Sequence, residues 1–260
     1  NIQIAYNLNN FGFENVQIGF SKRFKNIFIE LNTNNITSYQ YYRLNIISVA
    51  DDNKQLLLST DIYSNFSDPS SVNYETEDLG LGFSLGFPLA PDKSLRTKYS
   101  IFTSKVKADS NATSYERLLA GTDTVSQLGY SFNFDKRNSR YKPSSGYNII
   151  LDQDLAGLGG TSYYFKNRIQ LNSYKRLSDL FIGAFKLELG SVNGYNDKYA
   201  PLSTNFRLGG DKLRGFKSGK IGPKTGTSYT GGQYYYVTSL ETNIDFNFDT
   251  YDITSTIFID

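Results

Sequence analysis

Hydrophobic and polar residues alternate along much of this chain. In DLGLGFSLGF, residues 78–87, every second residue from position 79 onward is apolar, and the residues between them are glycine or serine. A period of two places these two sets on opposite faces of a β-strand. The same design recurs in SQLGYSFNFDK at 126–136, FKNRIQLNSY at 165–174 and FIGAFKLELG at 181–190. The pattern therefore predicts an all-β protein.

The turns between the predicted strands are uneven in length. Links within 49–53 and 176–179 are short, whereas 66–74, 107–122 and 193–231 are long. Short turns on one rim and long loops on the other are typical of outer-membrane barrels. Because no linker or shift of composition divides the chain, we expect a single barrel domain over residues 1–260. The thirteen predicted strands lie near 1–9, 14–22, 25–33, 38–48, 54–65, 75–87, 93–106, 123–136, 146–154, 161–175, 180–192, 232–247 and 251–260.

The position of the aromatic residues favours a membrane barrel over a soluble sheet. No window approaches the roughly eighteen consecutive apolar residues of a membrane helix. Tyrosines recur near strand ends, as interfacial girdles require, and the polar face of the strands is too polar to fill a protein core. We therefore predict an antiparallel transmembrane β-barrel, with a soluble β-sandwich as the alternative. The tyrosines are Tyr41, Tyr42, Tyr63, Tyr163, Tyr164, Tyr234, Tyr235 and Tyr236.

Composition narrows the chemistry that this chain can perform. The 260 residues include no Cys, His, Met or Trp, which excludes thiolate or imidazole metal sites, a Ser-His-Asp triad and disulfides. The net charge of +2 gives no excess that would favour nucleic acid. The carboxylate pairs Asp51/Asp52 and Asp152/Asp154 are expected to be solvated charge at strand ends or turns. We predict that the protein is not an enzyme and binds no cofactor or metal.

The longest connection carries the segment RLGGDKLRGFKSGKIGP at residues 207–223, called here the RGF loop. It contains five basic residues and five glycines but a single aromatic residue, Phe216, close to Arg214. Glycine permits tight backbone turns, and an arginine fork can bind two carboxylates. From the residues alone, the segment is either a mobile extracellular loop or a loop held by specific contacts.

Four blocks of this sequence resemble the BamA/TamA superfamily of outer-membrane assembly factors and occur in the family's order. GGDKLRGF is the most specific, because it is similar to the RGF signature that the family carries between its eleventh and twelfth strands. The strand count places it between the same two strands. The blocks are LGFSLGFPL at 81–89, DKRNSRYKPSSGYNIIL at 135–151, GGDKLRGF at 209–216 with IGP at 221–223, and TSLETNIDF at 238–246.

The resemblance implies a sixteen-stranded barrel of the BamA type, preceded by soluble polypeptide-transport-associated (POTRA) domains. With thirteen strands here, strands fourteen to sixteen and the POTRA domains are expected to lie outside this chain. In the family the loop folds into the lumen. Alternation along 233–246 and 252–260 places Glu241 and Asp260 on the lumen face, so both are predicted partners of Arg214. The implied loop motif is Gly209, Gly210, Leu213, Arg214, Gly215, Phe216, Ile221, Gly222 and Pro223.

Details of the loop follow from this interpretation. Phe216 is expected to pack on the lumen wall or near the guanidinium of Arg214. The other basic residues of the loop are expected to be solvated; they are Arg207, Lys212, Lys217 and Lys220.

The resemblance also implies a function. The protein is expected to catalyse folding and insertion of β-barrel proteins into the bacterial outer membrane, by strand pairing at a lateral gate. Its expected partners are unfolded outer-membrane β-barrel proteins, assembly-complex lipoproteins and outer-membrane lipid, without nucleic acid. Alternatives are a polypeptide translocator or passive channel of the same superfamily, and a soluble adhesin or carbohydrate-binding sheet. The implied gate strand is Asn1, Ile2, Gln3, Ile4, Ala5, Tyr6, Asn7 and Leu8.

Overall fold

The computed structural model describes residues 2–9, 12–24, 27–36, 39–51, 56–247 and 252–260. Thirteen strands form one antiparallel sheet in which each strand pairs with its neighbours in chain order. The prediction of an all-β transmembrane barrel is confirmed. The strands are β1 (Ile2–Asn9), β2 (Gly12–Phe24), β3 (Ile27–Ile36), β4 (Tyr39–Asp51), β5 (Leu56–Ser67), β6 (Tyr74–Ala90), β7 (Lys93–Ala108), β8 (Gly121–Asp135), β9 (Gly146–Gly160), β10 (Tyr164–Arg176), β11 (Phe181–Gly194), β12 (Tyr234–Asn247) and β13 (Asp252–Ile259).

The outer face of the sheet is apolar over a height that matches a membrane. On β6 the outward side chains include Leu79, Phe83 and Leu89, which are 61%, 45% and 57% exposed. Ten residue steps of about 3.3 Å, tilted by about 40°, give an apolar band roughly 25 Å tall. Charged pairs lie beyond its long-loop end, where Lys105 lies 3.7 Å from Glu77. Among the described residues, no helix has the length and apolar character needed to cross a membrane.

The glycines on the inner face of β6 make room for side chains of the adjacent strands. A Cβ added at Gly80 would lie 2.4 Å from the Cβ of Phe102, and one at Gly82 would lie 2.5 Å from a carboxylate oxygen of Asp61. Both separations are too short for real atoms. The glycine-rich face of β6 is therefore covered by side chains of the two adjacent strands.

The long loops form a cap at one end of the barrel. A short helix, α1 (Ser114–Leu118), begins with a capping box between Thr113 and Glu116. The Glu116 side chain is fully buried and also accepts a hydrogen bond from the hydroxyl of Ser228, which joins this loop to the region after the RGF loop. Under the cap, a buried apolar cluster includes Tyr74 and Leu202. The sequence pattern predicted the long loops but not this helix.

Candidate functional site

The RGF loop is a compact turn rather than an open segment. The amide of Gly210 donates to the carbonyl of Phe216 at 2.8 Å, and the amide of Leu213 donates to the carbonyl of Gly210 at 3.3 Å. Gly209 has φ +110°, and a Cβ there would lie 2.1 Å from the carbonyl oxygen of Lys217. Only glycine fits this position, because both the backbone angle and the space exclude a side chain.

Arg214 binds Asp260 through three donors. Its main-chain amide and its Nε each donate to Oδ2 of Asp260 at 2.9 Å, and Nη2 donates to Oδ1 at 2.5 Å. The Asp260 side chain is only 6% accessible, against 30% for that of Arg214. This bidentate fork is a geometry that lysine cannot reproduce.

The same guanidinium reaches the wall formed by β12. Nη2 of Arg214 lies 2.8 Å from Oε1 of Glu241 and 2.7 Å from the hydroxyl oxygen of Ser239. Glu241 is 5% accessible and also pairs with Lys186 at 2.7 Å, so two cations and two carboxylates meet at this point. Hydrogen bonding to Asp260, together with the charge of Glu241, raises the pKa of Arg214 further above its ordinary range. The structure thus brings Arg214 together with both of its predicted partners; what the contact does stays a prediction.

The aromatic ring on this arginine comes from the barrel wall and not from the loop. The guanidinium carbon of Arg214 lies 3.5 Å from the centre of the Phe258 ring. Phe258 pairs with Glu241 across the β12–β13 ladder and points to the same side. Phe216, the expected neighbour, is 54% exposed. Phe258 is an apolar residue on the otherwise polar lumen face of β13, and the structure shows it as the cation–π partner of Arg214.

A second basic residue of the loop has specific contacts, which corrects the expectation that it is solvated. Nζ of Lys212 lies 2.5 Å from Oε1 of Glu188 and 5.0 Å from the ring centre of Tyr235. Glu188 also accepts hydrogen bonds from the hydroxyl of Tyr235 and from Gln170, the latter at 3.0 Å. The loop is thus attached to the barrel wall through two of its basic residues, Lys212 and Arg214. The alternation of residues along β11 places Glu188 on the lumen face, and this signal in the sequence could have identified it as a partner of the loop.

Arg207 is likewise not simply solvated, since its guanidinium lies 5.5 Å from the ring centre of the buried Tyr74. Lys217 is exposed, as predicted, and Lys220 is half-buried. At the far end of the loop the amide of Ile221 donates to the carbonyl of Leu208 at 3.3 Å. Of the remaining motif residues, Gly215 lies in the turn next to Arg214, and Gly222 and Pro223 directly follow Ile221.

The first strand is present as β1, although Asn1 lies outside the described residues. It pairs with β2 from Ile2 to Asn9, with a register shift between Asn7 and Leu8. In the described sheet β1 and β13 are the two edges.

The carboxylates expected at the rim are placed differently. Asp152 lies 2.8 Å from Arg168, and Asp154 lies 2.8 Å from Lys98; both pairs are on the lumen wall and both carboxylates are 15% accessible. The rim assignment was therefore wrong for this pair, because the sequence does not reveal the opposite charges on the neighbouring strands. Asp52 of the other pair lies outside the described residues.

Comparison with known proteins places the chain in a family. The model of the Omp85 superfamily domain matches residues 20–260. The chain belongs to the Omp85 superfamily. Members of this superfamily are outer-membrane proteins, which accounts for the apolar outer face of the sheet.

Individual Omp85 relatives agree with this placement. The outer membrane protein assembly factor BamA of Neorickettsia risticii is 22% identical over 70% of this chain. A SAM50-like protein of Schizosaccharomyces pombe is 32% identical over 48% of it, and the human sorting and assembly machinery component 50 homolog is 31% identical over 46%. These matches cover 25–27% of the relatives, so the matched part of this chain spans about a quarter of each curated protein.

The fold is shared with a solved structure of this superfamily. The crystal structure of BamA from Haemophilus ducreyi lacking POTRA domains 1–3 superimposes with a TM-score of 0.84. The alignment covers 99% of this chain and 61% of that chain at 17% sequence identity. At this identity the likeness concerns the fold alone.

Proposed function

We propose that this chain is the barrel part of an outer-membrane protein assembly factor, which catalyses the folding and insertion of β-barrel proteins into the bacterial outer membrane. The observation that carries the proposal is the Omp85 match over residues 20–260. The printed role of the N. risticii relative, an assembly factor, points the same way. The proposed partners are unfolded outer-membrane β-barrel proteins, assembly-complex lipoproteins and outer-membrane lipid.

The proposed mechanism is strand pairing at β1. One side of β1 pairs with β2, and the proposed gate is its other side, which meets the last strand in the sixteen-stranded barrel that the resemblance implies. An unpaired strand edge inside a bilayer leaves amides and carbonyls without partners, which costs several kcal/mol per group. An incoming strand that pairs with β1 satisfies these groups by β-augmentation. The register shift between Asn7 and Leu8 interrupts regular pairing at one end of β1, which favours an exchangeable edge.

The proposed reaction makes and breaks no covalent bond, and we propose no nucleotide or cofactor for it. Free energy comes from the substrate, which gains backbone hydrogen bonds and buries apolar surface in lipid as it folds. The proposed role of the RGF loop is to hold the β12–β13 wall in shape, through the contacts of Arg214 with Glu241 and Asp260.

A reconstitution experiment tests the proposal. The full-length protein is placed in phospholipid vesicles, and the folding rate of an urea-unfolded β-barrel protein is followed by its change in gel mobility. Ala5→Pro removes an amide from the edge strand and is expected to slow insertion, whereas Ala5→Val, which keeps the amide, is expected to have little effect.

The proposal is overturned if vesicles with and without the protein insert the substrate at the same rate. If the same vesicles also conduct ions or pass unfolded polypeptide, the result supports the translocator or channel alternative.

A further inference from the structure

A row of polar side chains crosses the outer face of the barrel from β8 to β11. Tyr130 pairs with Gln153, Gln153 with Asn167, and Asn167 with Ser191, each directly across a strand pair. These four residues are called here the polar row. Each is half-buried.

Hydrogen bonds connect the whole polar row in one direction. The hydroxyl of Tyr130 donates to Oε1 of Gln153. Nε2 of Gln153 donates to Oδ1 of Asn167 at 2.6 Å, and Nδ2 of Asn167 donates to the hydroxyl oxygen of Ser191 at 3.1 Å. The chain of bonds spans four strands, or roughly 14 Å at the usual strand spacing.

The polar row lies on the lipid-facing side. On β8 to β10 the residues two positions away on the same strands share its face and are large and apolar, whereas on β11 Leu189 is apolar and Asn193 is polar. Leu128, Leu155 and Phe165 flank it on one side, with 50%, 41% and 40% exposure. Ile169 and Leu189 flank it on the other side, with 41% and 37% exposure. The row is therefore embedded in the apolar band.

The polar row rises from the interior of the apolar band to its long-loop edge. Tyr130 is the tenth residue of β8 (Gly121–Asp135), whereas Ser191 pairs with Tyr234, the first residue of β12. Tyr234 is 66% exposed. Polar groups thus continue without a break from inside the band to the edge where lipid headgroups begin.

The row retains donors that the protein does not use. Each carboxamide has two N–H groups and donates one of them within the row, and the Ser191 hydroxyl only accepts. Within the part of the chain that the structure describes, the second N–H groups of Gln153 and Asn167 and the O–H of Ser191 have no partner. Because unpaired donors in hydrocarbon cost several kcal/mol, they require acceptors from outside the protein.

We propose that the polar row binds the glycerol-ester and phosphate oxygens of lipids in the leaflet at the long-loop edge, drawing headgroups down the outer wall over β9–β11. The unused groups are neutral donors, and these lipid oxygens are acceptors that a bilayer supplies at the edge of the apolar band. This inference depends on the membrane barrel fold and is independent of insertion activity.

Photo-crosslinking tests lipid contact directly. The full-length protein is reconstituted in phosphatidylethanolamine vesicles containing one of two photoreactive phospholipids, with the diazirine either next to the ester carbonyl or at the acyl-chain end. Mass spectrometry then gives the ratio of the two labels on the peptides of β9 and β10. In the unmodified protein the ester-proximal probe is expected to dominate there.

Asn167→Leu removes the central amide at similar volume. The ester-proximal label is expected to fall about threefold or more relative to the chain-end label, as for one lost neutral hydrogen bond. Ser191→Val is expected to change the ratio in the same direction, by less. Ser173→Val is the matched control, since Ser173 lies on the same face of β10 outside the row. Heat-modified gel mobility confirms that each variant is folded.

An unchanged ratio in Asn167→Leu, or an equal fall in Ser173→Val, overturns the proposal. If Asn167→Leu does not fold, the label ratios of Ser191→Val and Ser173→Val are compared instead. An unchanged ratio in Ser191→Val, or an equal fall in Ser173→Val, then overturns the proposal. A Leu155→Cys variant, in a background without other cysteines, tests the competing occupant. Rapid disulfide-linked dimers in the membrane would show that a second copy covers the row, which also overturns lipid binding.

Discussion

Replacing Arg214 by alanine is expected to release the RGF loop from the barrel wall. The substitution removes the fork to Asp260, the contact at 2.8 Å with Glu241 and the contact at 3.5 Å with the Phe258 ring. Glu241 keeps Lys186 at 2.7 Å, so it retains one cation. Asp260 is the group that loses its ion-pair partner while its side chain stays 6% accessible.

The expected loss of unfolding free energy follows from how accessible the side chains of Arg214 and Asp260 are to solvent. Breaking a buried pair on one side costs about 3–5 kcal/mol, because a charge remains without its partner. The Arg214 side chain is 30% accessible, so solvent screening lowers that value. The lost cation–π contact adds about 0.5–1 kcal/mol. Because the contacts between Arg214 and Asp260 lie in an exposed part of the structure, we expect Arg214→Ala to destabilise the barrel by roughly 1–3 kcal/mol.

Urea unfolding of the full-length protein in vesicles, followed by gel mobility, measures this loss, and limited proteolysis reports on the loop. Lys217→Ala is the matched control, because Lys217 is an exposed basic residue of the same loop. Adding Asp260→Asn to Arg214→Ala is expected to restore part of the stability, since the unpaired charge is removed. If Arg214→Ala and Lys217→Ala unfold at the same urea concentration, with equally resistant loops, the reasoning is wrong.

Three further outcomes follow from the described contacts. Gly209→Ala should destabilise the barrel in urea by at least about 1 kcal/mol more than Gly159→Ala, because both have φ +110° but only Gly209 lacks space. Lys212→Met should cost about 0.5–1.5 kcal/mol by the same measurement, since its ion pair is part-exposed. Burial opposes ionisation of Glu116, but hydrogen bonds from Ser228, Thr113 and Asn73 outweigh it and lower its pKa. The stability it gives the cap is therefore complete above its ordinary pKa and lost as pH falls through the lowered one. Hydrogen exchange in residues 109–120 should accelerate over that range, and Glu116→Gln should flatten this pH dependence while loosening the cap at neutral pH.

The alternation of residues predicted the strands because a barrel places each residue against either lipid or lumen. This local rule gave thirteen strands, and the facing directions of Glu241 and Asp260, which both contact Arg214. It failed where the chain is held by distant partners. The helix α1 depends on a capping box and on Ser228, which is 112 positions from Glu116 along the chain.

The candidate site divides in the same way. Arg214 and its two carboxylates could be proposed from a motif and a period of two. The partners of Lys212, Asp152 and Asp154 could not, because they depend on which residues the register places opposite one another on adjacent strands. A slip of one residue would reverse the facing of every side chain, and the sequence does not state the register.

By itself the sequence determined the class of fold, the order of the strands and the loop that carries the basic residues, since these depend on local periodicity and turn residues. Only the tertiary structure decided that Phe258 rather than Phe216 lies on Arg214, and that four polar residues join into one row on the lipid face. Such contacts arise when the register brings separate strands side by side, and no property of a single strand specifies them.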